Sequence, residues 1–166
     1  MIKDIKISKN PYLIFLPFIF FYVAIVLIFQ TDSLVGDENR FLLYAENLTH
    51  GYYSPSDITL GNGPGYPIII TPFVALDLPY ICIKLLNPIF YYFSIIFLFK
   101  ALQQILPFRV TLIFSLFWAC YYNGFESMHL MYSEIFTYFL VSLLLFLLLK
   151  TFNTGTSEKK GKYIIL

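Results

Sequence analysis

Residues 11–29 read PYLIFLPFIFFYVAIVLIF, a run of 19 residues without a single charge. As a helix this run reaches about 28 Å, close to the thickness of a bilayer's hydrocarbon core. A signal peptide would carry a shorter apolar stretch closed by small residues, and neither feature is present. The run therefore reads as a retained first transmembrane helix. Lys3, Lys6 and Lys9 precede it, while Asp32, Asp37 and Glu38 follow it. That asymmetry puts the N-terminus in the cytoplasm and the next segment outside.

The rest of the chain has the same character. Hydrophobic residues make up 58% of it and charged residues only 13%, the balance of an integral membrane protein rather than a soluble domain. Phe (19) and Tyr (14) are abundant, with tyrosines gathered near segment ends, where an amphipathic ring suits the headgroup layer. The net charge of +1 carries no nucleic-acid surface. Cys82 and Cys120 fall inside apolar runs and read as small buried hydrophobes.

A second span is expected over Tyr80–Phe99, with Lys84 snorkelling to its outer end and a kink at Asn87-Pro88. Val110–Tyr122 returns outward, extended to about Ile105 if Arg109 snorkels, and a small outer turn covers Asn123–Met128. Met131–Leu149 forms the last span, and Thr151–Lys162 reads as a solvated cytoplasmic loop. Lys and Arg collect at the N-terminus, at 100–109 and at 150–162; Asp32, Asp37, Glu38, Glu46, Asp57, Asp77, Glu126 and Glu134 fall on the other side. The expectation is a single membrane domain over 1–166: an all-α polytopic transmembrane bundle of about four spans with both termini inside. Tyr163-Ile164-Ile165-Leu166 reads as the start of another apolar segment, as if the sequence were the N-terminal part of a larger domain.

The first outer loop, about residues 30–79, holds the polar chemistry. Phe41, Leu42, Tyr44, Ala45 and Leu48 recur at helical spacing beside Asn39, Arg40, Glu46 and Asn47, which predicts an amphipathic helix lying on the bilayer from about Asp37. Pro67–Leu76 is too short to cross and reads as an interfacial or re-entrant helix. Asp37 and Glu38 with Arg40 form the first candidate site: a carboxylate at the boundary takes a proton or holds a divalent cation, and a guanidinium grips phosphate. An Asp after Gly at a helix start is equally an N-cap, and the two readings coexist. The glycines of Gly61-Asn62-Gly63-Pro64-Gly65-Tyr66-Pro67 let backbone N–H groups approach a phosphate, although most such sequences are only turns. Glu134, an ionisable group near the outer end of a span, is either functional or a solvated interfacial Glu. His50 and His129 stand without zinc-ligand spacing. Asn47-Leu48-Thr49 matches a glycosylation acceptor pattern.

Taken in order, Gly36-Asp37-Glu38-Asn39-Arg40, Tyr44-Ala45-Glu46-Asn47-Leu48, Gly51-Tyr52, Gly63-Pro64-Gly65-Tyr66-Pro67, Lys84-Leu85-Leu86-Asn87 and Tyr132-Ser133-Glu134-Ile135-Phe136 resemble the N-terminal part of polytopic GT-C glycosyltransferases. That group includes dolichyl-phosphate-mannose protein mannosyltransferases and bacterial aminoarabinose lipid A transferases. The resemblance covers roughly residues 10–150. It implies transfer of a sugar from a polyprenyl-phosphate carrier to a glycan, lipid or protein acceptor on the outer face of the cell (inner) membrane, with inversion at the anomeric carbon. Asp37 would be the general base or the ligand of a divalent cation such as Mg or Mn. Glu38 would share the catalytic site, and Arg40, Tyr66, Lys84 and Glu134 would line the substrate pocket. The chain departs from the group in lacking a basic residue in the Gly61–Pro67 turn and in having few helices. The competing expectation is a non-enzymatic scaffold or transporter subunit whose acidic loop only solvates the outer face.

Overall fold

The computed structural model describes residues 10–53 and 63–163, with side chains to residue 153. Lys3, Lys6, Lys9, Asp57, Gly61, Asn62 and Ile164–Leu166 lie outside the described residues, as do the side chains of Lys159, Lys160 and Lys162. Among the described residues every regular element is helical.

The first apolar run is interrupted. Helix α1 (Pro11–Ile14) gives way at Phe15 to α2 (Leu16–Phe29). Pro17 explains the break, because it has no N–H to offer the Leu13 carbonyl one turn back. Beside the interruption, the Tyr92 hydroxyl donates to the Tyr12 carbonyl at 2.8 Å.

The polar loop folds into two short helices, α3 (Glu38–Thr49) and α4 (Gly65–Ala75). The amphipathic prediction holds for α3, but its apolar face is covered by protein rather than left on the bilayer. Phe41 and Ala45 pack with Tyr66 and Ile70 of α4, together with Ile83 and Met131. Helix α4 ends in a Schellman motif: Leu78 N–H reaches the Phe73 carbonyl and Asp77 N–H the Val74 carbonyl, both at 3.0 Å, with Asp77 left-handed at φ 50°.

Next come α5 (Tyr80–Lys84) and α6 (Leu86–Leu102), separated at Leu85 as the Asn87-Pro88 pair predicts, since Pro88 leaves the Lys84 carbonyl without its helical donor. Helix α7 (Phe108–Ala119) starts after Pro107; α8 (Tyr122–Glu126) and a 3-10 turn (Ser127–His129) then lead to α9 (Ser133–Tyr163). Residues 151–163 are thus a continuation of α9 and not a loop; no proline interrupts them. Cys120, expected inside, caps α7 on its exposed side, and Cys82 is half-buried.

Helix α6 is the central element, packed on α9, α7 and α2. Its core is aromatic: Phe15, Tyr22, Tyr91 and Phe99 are fully buried around Ile95. The two buried tyrosines serve the end of α7, Tyr22 donating to the Ala119 carbonyl at 2.8 Å and Tyr91 to the Trp118 carbonyl at 2.6 Å. Helix ends leave such carbonyls without intrahelical donors, so the phenols close α7 in the core.

The four rods α2, α5–α6, α7 and α9 alternate in direction. At one end Lys100 donates to the Tyr12 hydroxyl at 2.6 Å and Asn153 to the Gln104 side chain at 3.1 Å. Glu38, Lys84 and the 127–131 turn meet at the other. Two of the rods are long and apolar enough to cross a membrane, Tyr80–Leu102 and Ser133–Asn153. The latter leaves most of its apolar surface uncovered, which water would penalise by about 25 cal/mol per Å². The expectation of about four spans is not confirmed: α2 and α7, cut short at Pro17 and Pro107, reach only about 21 and 18 Å.

Candidate functional site

The segment Asp32–Asp37 reaches α3 through Gly36, at φ 57°. Glycine suits this left-handed position, and a Cβ there would push against the Tyr132 hydroxyl, which would have to shift. That hydroxyl donates to the Val35 carbonyl at 3.3 Å, binding the loop to the start of α9.

Two residues after Gly36, Glu38 turns inward and is completely buried. Its Oε2 accepts the Val35 N–H and its Oε1 the Met131 N–H, both at 2.7 Å. Lys84 Nζ lies 3.7 Å from the same Oε1 and donates to the Thr31 carbonyl at 2.7 Å. Lys84 therefore does not snorkel: its ammonium is as buried as the carboxylate it faces. A charge taken from water is tolerated only when paired and hydrogen-bonded, and these two groups satisfy each other and three backbone groups. Neither reaches solvent, so the sequence-predicted catalytic role of Glu38 and substrate contact of Lys84 have no exposed surface to act from.

Asn87 completes this junction. Its Nδ2 lies 2.7, 3.1 and 3.4 Å from the carbonyls of Leu130, Met128 and Ser127. Sequence reasoning read Asn87 as part of a kink and of the Lys84–Asn87 motif, and gave no role to Gly36 or Tyr132 beyond their motifs. The polar character of Asn87 inside an apolar helix was the available signal.

Asp37 and Arg40 face outward. Asp37 occupies the N-cap position, and its carbonyl accepts the N–H groups of Arg40 and Phe41 at 3.0 Å, but its side chain makes no capping bond. The carboxylate instead sits 3.4 Å from the Arg40 guanidinium, both about half exposed. Among the described residues no group of three or more His, Cys, Asp or Glu side chains converges on a metal position. With Arg40 beside Asp37 and both Glu38 oxygens engaged, these residues do not fit a resident Mg or Mn ion.

Tyr66 and Glu134 lie on the far side of the same junction. A cavity of about 400 Å³ opens between α3, α4 and the first turns of α9, walled by Phe41, Tyr66, Ser133 and Phe136. The Tyr66 hydroxyl is buried and has no hydrogen-bond partner among the described residues. Burial first, then the carboxylates of Glu38 and Glu134, push this phenol up from its ordinary range and keep it protonated. Glu134 is exposed in the first turn of α9, where the helix dipole favours a negative charge. Gly63 faces open space, and Gly65 begins α4.

The glycosylation pattern is closed off. Asn47 is buried, and its amide donates to the Tyr53 carbonyl at 3.3 Å. No known protein family, curated protein or solved structure matches this chain.

Proposed function

We propose that the chain forms part of a GT-C-like glycosyltransferase that moves a sugar from a polyprenyl-phosphate carrier to an acceptor hydroxyl on the outer face of the cell membrane. The observation that carries this reading is the contrast at the start of α3: Glu38 is fixed inside, while Asp37 and Arg40 next to it are exposed as a carboxylate–guanidinium pair. Preorganised charge on a rigid frame is what a displacement at an anomeric carbon needs.

In that reaction the acceptor oxygen attacks the anomeric carbon as its proton passes to the Asp37 carboxylate. The bond from carbon to the carrier phosphate oxygen breaks on the opposite side, inverting the centre, and the departing phosphate is drawn to Arg40. All four rods span the membrane in this reading, with the N-terminus cytoplasmic. The ends of α2 and α7 are completed by the interfacial layer and by α1 and α8. The grouping of Lys100, Arg109 and Lys150 at one end and Asp37, Glu126 and Glu134 at the other supports that orientation.

The test is transfer from a radiolabelled polyprenyl-phosphate sugar in membranes carrying the protein. Asp37→Asn should lower the rate at least about 100-fold with unchanged protein level. Full activity in that variant rejects Asp37 as the base, and wild-type membranes that transfer no more sugar than membranes lacking the protein favour a scaffold or transporter subunit. Labelling of Asn39→Cys from the cytoplasmic side alone would reject the orientation.

A further inference from the structure

We propose that the groove between α2 and α8 holds one acyl chain of an outer-leaflet phospholipid whose headgroup ends in a primary ammonium, with that ammonium paired to Glu126. The inference rests on the transmembrane placement in the proposed reading, not on its chemistry, and the groove shares no residue with the Asp37–Arg40 pair.

Three features select this occupant. Phe21, Ala24, Ile25 and Ile28 recur at i, i+3, i+4 and i+7 on α2 and so share one face, which α8 meets through Tyr122 and Phe125 to enclose about 460 Å³. The wall is apolar and uncovered, Ile28 being 71% and Tyr122 69% exposed, and Ala24, with a single methyl, leaves room between larger side chains.

The groove also has the length of one leaflet. Its mouth is at Phe29, against the His129 ring, and its deep end at Phe21, edge to face with Phe125 at 5.8 Å. Between those two positions the helix rises about 12 Å, whereas half the hydrocarbon core is about 15 Å and a crossing helix would need about 30 Å. A lipid chain fits that length better than a partner's transmembrane helix does.

Finally, the two lining residues able to meet a headgroup, Glu126 and His129, stand together at the mouth. Glu126 is exposed and makes no salt bridge among the described residues, while Lys84 is committed to Glu38. His129, held neutral by burial and by Lys84, has a ring N–H to offer the phosphate beside the ammonium. A carboxylate next to a neutral donor suits a zwitterion, and it repels an anionic headgroup and the phosphate of a polyprenyl carrier alike.

The experiment is native mass spectrometry of the full chain released from nanodiscs of phosphatidylethanolamine, phosphatidylcholine and phosphatidylglycerol in equal parts. Phosphatidylethanolamine should stay bound about threefold more than either of the others, the scale of one exposed ion pair. Glu126→Gln should remove that preference while leaving lipid bound, and Ala24→Trp, which fills the groove from an exposed position, should strip the retained lipid without lowering the thermal midpoint. Asp37→Asn should keep the preference, so that failure of the transfer reaction and failure of this groove are read separately. Equal retention of phosphatidylglycerol or phosphatidylcholine, a preference that survives Glu126→Gln, or lipid that survives Ala24→Trp overturns the proposal. So does displacement by polyprenyl phosphate, which would give the groove to the carrier, or a dimer that Ala24→Trp breaks, which would give it to a second copy.

Discussion

Lys84 Nζ stands 3.7 Å from Glu38 Oε1 with neither side chain exposed, and through this pair the loop after α2, the end of α5 and the turn before α9 are held as one unit. Breaking one half leaves the other charge buried alone. Lys84→Met or Glu38→Leu should each cost about 3–5 kcal/mol, whereas the double variant Glu38→Leu/Lys84→Met should recover much of the loss. Chemical unfolding in mixed micelles measures the cycle; additive single losses would contradict the coupling.

Gly36 meets two demands, a left-handed backbone and contact with the Tyr132 hydroxyl. Gly36→Ala should destabilise by about 1–2 kcal/mol from the backbone alone, plus the collision. Tyr132→Phe in the same chain should return the collision part and leave the backbone part. Paired thermal midpoints for the single and double variants decide it.

His129 sits against the Phe29 ring at 6.2 Å. Burial, then the Lys84 ammonium, hold its imidazole below the usual histidine range, against the opposing pull of Glu38 and Glu126. With the folded value depressed, the unfolded chain takes up the proton first as pH falls below about 6.5. Stability should therefore be full above that pH and decline as acid carries the folded imidazole through its own lowered value. His129→Gln should flatten this part of the curve, and a midpoint that rises on acidification would refute the sign.

Asn47 should stay unmodified in a glycosylating host, because its amide is buried on α3 and bonded to Tyr53. Intact-mass measurement before and after glycosidase treatment reads this directly. A glycan at Asn47 would mean that α3 is not packed as described.

Asp77 adopts φ 50° at the end of α4, a conformation glycine takes without steric cost. Asp77→Gly should hold or raise stability by up to about 1 kcal/mol, and Asp77→Val should lower it. Thermal midpoints of the two variants should move in opposite directions.

The helical class and the amphipathic helix from Glu38 were legible because hydrophobic runs and 3.6-residue spacing are local properties of the chain. The same locality explains what was missed. Nothing near Lys84 in sequence announces Glu38, 46 positions earlier, so a lysine near a helix end reads as snorkelling until the fold brings a carboxylate to it. The break at Phe15 was open to reading, since Pro17 carries it, but the composition of the run outweighed one residue.

Sequence alone determined that this is an apolar helical protein, because the partition of side chains between water and hydrocarbon depends on residue type and order. Only the tertiary structure decided which charges are exposed: burial and backbone hydrogen bonds enclose Glu38 and Lys84, expose the Asp37–Arg40 pair, and leave the Tyr66 hydroxyl without a partner among the described residues. Those outcomes depend on contacts between distant segments, and such contacts exist only once the helices have packed.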